Sequence, residues 1–219
     1  MQDVIWLVML GTAAGSAALG GARKLLERRS ARRELARHPP LGTQTPDGTV
    51  VRVTGVVRVR DTLIVAPLSG VECVAARARV TSGNWQTRRA LKPREWFAIV
   101  SFVLERTDEP PILVEGVHAK LDLAPERLER AKRGSPELAR REQLMLQLGD
   151  RQALATRADF EEVVVRPGMR VSIAGLMMLA LPAAPPAPGN ELGFRDQAPS
   201  TLRLVGNATH PLVIGAPIA

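Results

Sequence analysis

Hydrophobic and polar residues follow two different patterns along this chain, and the change between them lies near residue 48. Residues 4–22 form an uncharged apolar run, and a stretch rich in arginine follows it directly. From Gly48 onward, apolar and polar residues alternate as they do along half-buried β-strands. The pattern predicts a transmembrane anchor over 1–22, a basic helical stalk and linker over 23–47, and a mainly β domain over 48–219.

The apolar run has the length of a single membrane-spanning helix. At about 1.5 Å of rise per residue, it can just cross a hydrocarbon core of about 30 Å. Cationic side chains follow it and would contact anionic lipid headgroups. They are Arg23, Lys24, Arg28, Arg29, Arg32 and Arg33. The positive-inside rule then predicts a single-pass membrane protein whose residues 23–219 lie in the cytoplasm.

A cleaved signal peptide is the alternative interpretation of the same run. Its apolar region would be VIWLVML, and small residues around Gly15 would supply the cleavage site. The positive charge expected before such a region is limited to the terminal amine. If the helix stays in the membrane, Gly11 and Gly15 form a small-xxx-small pair that favours close helix packing and a homodimer.

Beyond the stalk, which should stop at Pro39-Pro40, strands are predicted wherever apolar residues alternate or cluster between turn residues. The predicted strand segments are GTVVRVTGVVRVRD, VECVAARARVTS, EWFAIVSFVLER, PPILVEGVHAKLDL, FEEVVVRP, MRVSIAGLMMLALP, STLRLVG and PLVIG. A helical insertion near 125–148 interrupts them. Pro125 suits a first helical position, and Ser135-Pro136 restarts a helix that ends near Gly149.

Two segments share one spacing of glycine and β-branched residues. The pattern Gly-x-x-Val-x-Val-x-Gly over 48–55 matches Gly-x-x-Val-x-Ile-x-Gly over 168–175. Each has a turn glycine, an apolar-in strand and a mid-strand glycine that permits a bend. Such bends are needed when a sheet curls, so the fold expected is a small curled or barrel-like sheet.

Composition excludes several kinds of chemistry. The formal net charge is +8, but much of the excess lies in the stalk, where a membrane surface accounts for it. A single cysteine, Cys73, allows neither an internal disulfide nor a thiolate zinc site, and it is read as a small core residue. Tyrosine is absent and aromatic residues are few, which argues against nucleic acid as a partner.

No catalytic, metal or cofactor-binding residues are predicted. The chain has no Gly-rich phosphate loop and no nucleophile elbow. Glu161 and Glu162 are neighbours on a strand and should point to opposite faces, which indicates the start of a strand with a solvated acid. Two tryptophans flank a basic turn and are expected to cover an edge of the barrel or form a partner-binding patch. That candidate patch comprises Trp85, Arg88, Arg89 and Trp96.

Several motifs, in their order along the chain, resemble the GIDE-type or "beside-a-membrane" domain. This domain occurs in membrane-anchored E3 ubiquitin ligases and their bacterial relatives. The similar segments are 55–57 (GVV), 66–74 (APLSGVECV), Trp85, 102–108 (FVLERTD), 162–175 (EVVVRPGMRVSIAG) and 211–214 (PLVI). The resemblance covers about residues 49–215 and follows a membrane anchor, as in the family.

The resemblance implies a function at a membrane but does not bring the ligase activity with it. Ligases of the family carry a RING module built on paired Cys-x-x-Cys zinc ligands, and this chain has one cysteine. Two positions also depart from the family pattern, at 75–77 and at 109–110. We therefore expect a membrane-anchored, non-catalytic interaction or scaffold module. The alternatives are a component of a ubiquitin-ligase-like or other enzymatic system, and an OB-like nucleic-acid-binding domain.

Overall fold

The computed structural model describes residues 33–42, 44–84, 89–90, 93–116, 118–128, 131, 134–149, 158–179 and 202–218. The chain is mainly β, as predicted. Its strands are β1 (Val50–Val59), β2 (Ile64–Val65), β3 (Glu72–Cys73), β4 (Ala75–Asn84), β5 (Arg89–Ala90), β6 (Arg94–Ile99), β7 (Phe102–Arg106), β8 (Glu109–Glu115), β9 (Ala119–Asp122), β10 (Glu126–Arg127), β11 (Ala158–Val165), β12 (Arg170–Leu179), β13 (Leu202–Val205) and β14 (Leu212–Gly215). A helix spans Pro136–Gln147.

Five of these strands close into a barrel. β1 pairs with β7, β7 with β8, β8 with β13, β13 with β12, and β12 with β1. Of these pairs only β8–β13 is parallel. β14 and then β9 continue the sheet outward from β12. The closed ring confirms the predicted curled or barrel-like sheet. Because the ring is closed, its strands have no unpaired sheet edge.

The two segments with matching glycine spacing are direct partners in this barrel. Segment 48–55 lies mostly in β1 and segment 168–175 mostly in β12, and Val53 is paired with Ile173 at the centre of their antiparallel ladder. The first glycine of each segment has a positive φ, +76° and +84°, so both begin at a turn that favours glycine. The repeated pattern therefore marks two strands related by a local pseudo-twofold axis.

The mid-strand glycines of the same segments allow a close approach by neighbouring strands. A Cβ on Gly55 would lie 2.5 Å from the backbone oxygen of Glu105, and one on Gly175 would lie 2.4 Å from Cδ2 of Leu212. Any side chain here would push the adjacent chain away, so these glycines let the sheet coil tightly around its core.

Strand alternation fills the barrel with apolar side chains. Val51, Val53 and Val57 are buried, while Arg52 and Thr54 alternate with them on the other face, as predicted. The largest fully buried side chains of the main core belong to several strands: Phe102, Leu104, Ile112, Leu121, Ile173, Leu204, Leu212 and Ile214.

A second sheet packs beside the barrel, in the order β10-β11-β4, with β6 on the other edge of β4 and β5 pairing with its end. Two of the predicted strands are each divided between two sheets. VECVAARARVTS breaks at Val74 into β3, which forms a two-stranded sheet with β2, and β4 of the second sheet. EWFAIVSFVLER breaks at 100–101 into β6 of the second sheet and β7 of the barrel. Apolar runs long enough for one strand can thus cover a corner between sheets.

The helix 136–147 covers one face of the second sheet. Its buried residues Leu144 and Met145 pack with Leu68, Ala78 and Val80. The helix thus packs an apolar face on the sheet.

The ends of this helix are also where the sequence places them. The Ser135 hydroxyl accepts a hydrogen bond from the Leu138 N–H at 3.3 Å, Pro136 is the first helical residue, and Gly149 follows with a φ of +70°. A capping serine, an initial proline and a terminal glycine each satisfy or avoid an unpaired backbone group.

The predicted helix beginning at Pro125 is wrong. Glu126 and Arg127 form β10, opposite Glu162 and Glu161 of β11. A proline is compatible with a strand start as well as with a first helical turn. The ladder with β11, a partner far along the chain, decides between them, so the helical insertion is confined to 136–147 in the described residues.

The end of the stalk is part of the folded domain. Residues 33–36 are helical and stop before Pro39, as predicted. Leu35 is 1% exposed and packs with Ala174, Val213 and Ile218 on the outer side of β12 and β14. Residues 39–41 then run beside Arg52 of β1, where the Leu41 N–H donates to the Arg52 carbonyl at 3.0 Å.

The predicted anchor lies outside the described residues. So do Gly11 and Gly15 and the stalk cations Arg23, Lys24, Arg28, Arg29 and Arg32, while Arg33 is described and exposed. In the described part of the chain, none of the helical segments has the length and apolar character needed to cross a bilayer.

Candidate binding cleft

A cleft of about 420 Å³ opens where the second sheet meets the barrel. It lies between the end of β11, the turn into β12, and the segments that follow β9 and β14. Its lining residues are Leu123, Ala124, Glu126, Glu162, Val163, Val164, Arg166, Met169 and Ala216. Volume and lining are typical of ligand sites, which are mostly apolar with a few polar groups.

The cleft exists because β10 is short. Its two residues pair with 161–162 of β11, but the chain before it, at Leu123 and Ala124, turns away from the ladder instead of continuing beside 163–165. One edge of β11 is therefore left facing the cleft, with no strand beside it among the described residues.

The backbone of Val164 faces this gap. In an antiparallel ladder the N–H and C=O groups of one residue point to the same side, and the side alternates along the strand. The Leu128 N–H donates to the Phe160 carbonyl at 3.2 Å, while the Val165 carbonyl accepts from Val74 on the β4 side at 2.9 Å. Even-numbered residues of β11 thus direct their peptide groups away from β4. The N–H and C=O groups of Val164 therefore point into the cleft.

Three side chains line the same face of this strand at a spacing of two residues. They are Glu162, Val164 and the exposed Arg166 just beyond the strand end. At about 3.3 Å per residue, Glu162 and Arg166 are separated by about 13 Å along the backbone. In the described part of the chain, no carboxylate forms an ion pair with the Arg166 guanidinium. The cleft therefore has a free cation at one end and carboxylates at the other.

Glu162 is the buried member of the pair 161–162, which lies in the middle of β11 and not at the predicted start of a strand. It is 2% exposed, and its carboxylate accepts hydrogen bonds from the backbone N–H groups of Leu68 at 2.8 Å and Ser69 at 3.0 Å. From the other side, Nε of Arg140 donates to the Leu68 carbonyl at 3.0 Å. The turn 66–70 is thus held between the sheet and the helix.

The two acidic neighbours nevertheless lie on opposite faces, as predicted. Glu161 is half-buried on the face opposite to Glu162, opposite Arg79 of β4. No local feature of the sequence indicates which glutamate is buried, because the amides that bind Glu162 lie more than 90 residues earlier in the chain.

Cys73 is a core residue, as predicted. Its thiol is fully buried and points at the Ile64 carbonyl, with Sγ 3.6 Å from that oxygen. Burial, and next the negative charge of Glu162, raise the pKa of the Cys73 thiol to about 11. At neutral pH the group is a thiol rather than a thiolate, so it is a poor nucleophile and a poor metal ligand.

The candidate partner patch is only partly described. Trp96 is half-buried and packs against the clusters around Leu68 and around Cys73, between the second sheet and the segments that cover it. It therefore covers the second sheet rather than an edge of the barrel. Arg89 lies in β5, and Trp85 and Arg88 lie outside the described residues, so the patch stays a prediction.

Neither metal ligands nor relatives add to this picture. In the described ranges, no three His, Cys, Asp or Glu side chains are grouped so that they could hold a metal ion. Comparisons with family models, with curated proteins and with solved structures give no match to the chain.

Proposed function

We propose that this chain is a membrane-anchored, non-catalytic interaction module that holds a partner protein at the cytoplasmic membrane surface through the cleft between barrel and second sheet. The observation that carries the proposal is the cleft itself. It combines apolar walls with an arginine and a strand edge that have no ion-pair or strand partner among the described residues, which are features that bind rather than react.

The position of the cleft relative to the stalk supports this function. Ala216 lines the cleft, and Ile218, two residues later, packs on Leu35 of the stalk. A partner held in the cleft would therefore be held close to the point where the chain leads toward the predicted anchor. This arrangement suits a scaffold with the membrane placement that the GIDE-type resemblance implies.

The groups around the cleft that could do chemistry already have structural tasks. The Glu162 carboxylate is bound by two backbone amides, and the Cys73 thiol is buried with a raised pKa. A component of a ubiquitin-ligase-like or other enzymatic system is the alternative. It predicts turnover that depends on residues near the cleft.

The barrel topology favours one second candidate function. The five barrel strands in chain order are β1, β7, β8, β12 and β13. The first three form a meander, and the fifth lies between the third and the fourth and runs parallel to the third. This is the topology of OB-type barrels, many of which bind oligonucleotides. In such barrels the second and third strands provide the binding face. Here these are β7 and β8, whose single aromatic residue, Phe102, is buried. Their charged residues are Glu105, Arg106, Glu109 and Glu115, and Arg106 pairs with Glu109.

Cross-linking in membranes tests the proposed function. The full-length chain is expressed with Ala124→Trp, which fills the cleft from an exposed position, and with Ala139→Trp as the control on the exposed side of the helix. A partner that cross-links to the wild-type and Ala139→Trp proteins should be lost in Ala124→Trp. The proposal is contradicted if both variants retain the partner, or if no partner cross-links to the wild-type protein or to either variant.

Binding of single-stranded DNA that weakens with salt would favour the OB-like alternative.

A further inference from the structure

We infer that the cleft binds an extended peptide segment that adds as a strand to β11, with an apolar side chain beside Val164 and an acidic side chain beside Arg166. The inference rests on the proposed function, since it specifies the chemistry of the partner. It follows from three features of the described residues: a free strand edge, the register of the side chains along it, and the charges at its two ends.

The backbone supplies the first feature. The N–H and C=O groups of Val164 point into the cleft, and no other strand in the described ranges takes them up. An extended peptide in this position would exchange two hydrogen bonds with Val164, as β10 does with the preceding part of the same edge. Strand addition of this kind gives affinity through main-chain hydrogen bonds and specificity through alternate side chains.

The register supplies the second feature. A peptide that continues the β10 ladder would place one residue opposite Val164 and another, two positions away, opposite Arg166. Residues directly opposite each other in an antiparallel pair have Cβ atoms about 5 Å apart and interact on the same face. On this face Val164 packs against the cluster that holds Ala66 and Cys73, so an aliphatic side chain beside it would extend an apolar surface.

The charges supply the third feature and set the order of the peptide's side chains. The Arg166 guanidinium has no carboxylate partner among the described residues, and an acidic side chain opposite it would form an ion pair in a partly enclosed site. At the other end, Glu126 is exposed directly opposite Glu162. A second acidic side chain at that end would be repelled, so the acid must lie beside Arg166.

Fluorescence polarisation of the full-length chain in detergent micelles tests the inference with defined probes. The probe is a fluorescein-labelled, amino-acetylated peptide, Ser-Gly-Asp-Thr-Val-Thr-Gly-Ser. One control peptide carries N-methyl valine, which removes the N–H directed at Val164 without changing the charge. Another replaces the aspartate with lysine. The matched protein variants are Arg166→Glu in the cleft and Arg170→Glu, an exposed arginine at the start of β12.

The wild-type chain should bind the aspartate peptide saturably below about 1 mM. N-methylation should weaken binding about tenfold, the expected effect of losing one main-chain hydrogen bond to a desolvated carbonyl. Arg166→Glu should weaken binding of the aspartate peptide by at least tenfold, and this variant should bind the lysine peptide more tightly than the aspartate peptide. Arg170→Glu should leave the affinity for both peptides unchanged.

Three results would overturn the inference: no saturable binding, equal binding of the N-methylated peptide, or Arg166→Glu without effect. Failure here is separable from failure of the proposed function. If Ala124→Trp still abolishes cross-linking in membranes while the peptides do not bind, the cleft is the interaction site and the peptide chemistry is wrong. If the peptides bind as expected but no partner cross-links, the proposed scaffold function fails although the peptide-binding site is real.

Discussion

The barrel and the second sheet are held together in different ways. In the barrel, strands of alternating pattern close on an apolar core, and residues such as Phe102 and Leu104 are fully buried there. The second sheet shares part of that core, but its other face is joined to the turn 66–70 by the buried carboxylate of Glu162 and by Arg140. Both regions bury apolar side chains, and the second sheet depends in addition on the contacts that the buried Glu162 carboxylate makes with the turn 66–70.

This difference matters for function, because the cleft lies at the boundary between the two regions. The turn into β12 of the barrel provides Met169, and β11 of the second sheet provides Val164 and leads to Arg166. Truncation of a buried apolar side chain leaves a cavity, whereas removal of a buried carboxylate leaves the amides that it bound without a partner. Variants that damage one region and spare the other can therefore separate stability from binding.

Truncation of the barrel core should have the largest effect. Phe102→Ala removes a fully buried ring and should lower the free energy of unfolding by about 3–5 kcal/mol. Phe97→Ala, in β6 of the second sheet, removes a ring that is 38% exposed and should cost under about 1 kcal/mol. Chemical denaturation of the detergent-solubilised full-length chain measures both. Equal losses would show that the barrel is not the dominant core.

Loss of the Glu162 charge should have an intermediate and local effect. Glu162→Gln keeps the shape but replaces one acceptor oxygen with an amide group that cannot accept from the turn 66–70. We expect a loss of about 1–3 kcal/mol. Glu161→Gln, the neighbour on the other face, is the matched control and should change the free energy of unfolding by less than about 0.5 kcal/mol.

Hydrogen exchange shows where this effect lies. Amides of β4 and β11 should exchange faster in Glu162→Gln, while those paired between β1 and β12 should keep their wild-type protection. The Cys73 thiol gives a second readout, because Glu162 contributes to its raised pKa and the turn covers it. Faster thiol labelling with an intact barrel would agree with this assignment. Uniformly faster exchange would contradict the separation of the two regions.

Much of the barrel could be predicted from the sequence because its signals are local. Alternation gave the buried faces of Val51 and Val53, and the repeated glycine spacing indicated two strands that bend. The helix 136–147 was predictable for the same reason, since Ser135 and Gly149 mark its ends within the segment itself. Each of these features depends on residues close together in the chain.

The cleft could not be predicted, because distant segments create it. β10 forms only by pairing with β11, so a strand follows Pro125 where the local pattern predicts a helix. The burial of Glu162 depends on the distant amides of Leu68 and Ser69. Nothing near Arg166 in the sequence indicates that its guanidinium lies beside a strand edge with no ion-pair partner among the described residues. These features required the three-dimensional arrangement.

The smallest expected effect concerns the contact between stalk and barrel. Lys120 of β9 forms an ion pair with Glu34 of the stalk at 2.7 Å, and this hydrogen bond is the main reason that the pKa of Lys120 is raised above 10.5. The side chains of Lys120 and Glu34 are 48% and 36% exposed, so solvent screens the pair, and Lys120→Met should cost only about 0.2–1 kcal/mol, and less at high salt. Arg170→Met, at an exposed cation without a described ion pair, is the control.

The pH dependence of this contact has a defined sign. Because the folded pKa of Lys120 is raised, its contribution to stability is complete below the pKa of the unfolded chain, about 10.4, and is lost as the pH rises through the folded value. The difference between wild type and Lys120→Met should therefore be constant near neutral pH and vanish in strong alkali. A difference that persists there would mean that the lysine stem, rather than its charge, packs the stalk onto the barrel. The stalk would then be held by two apolar contacts, one made by the buried Leu35 and one made by the stem of Lys120. Both contacts would keep the cleft near the predicted anchor.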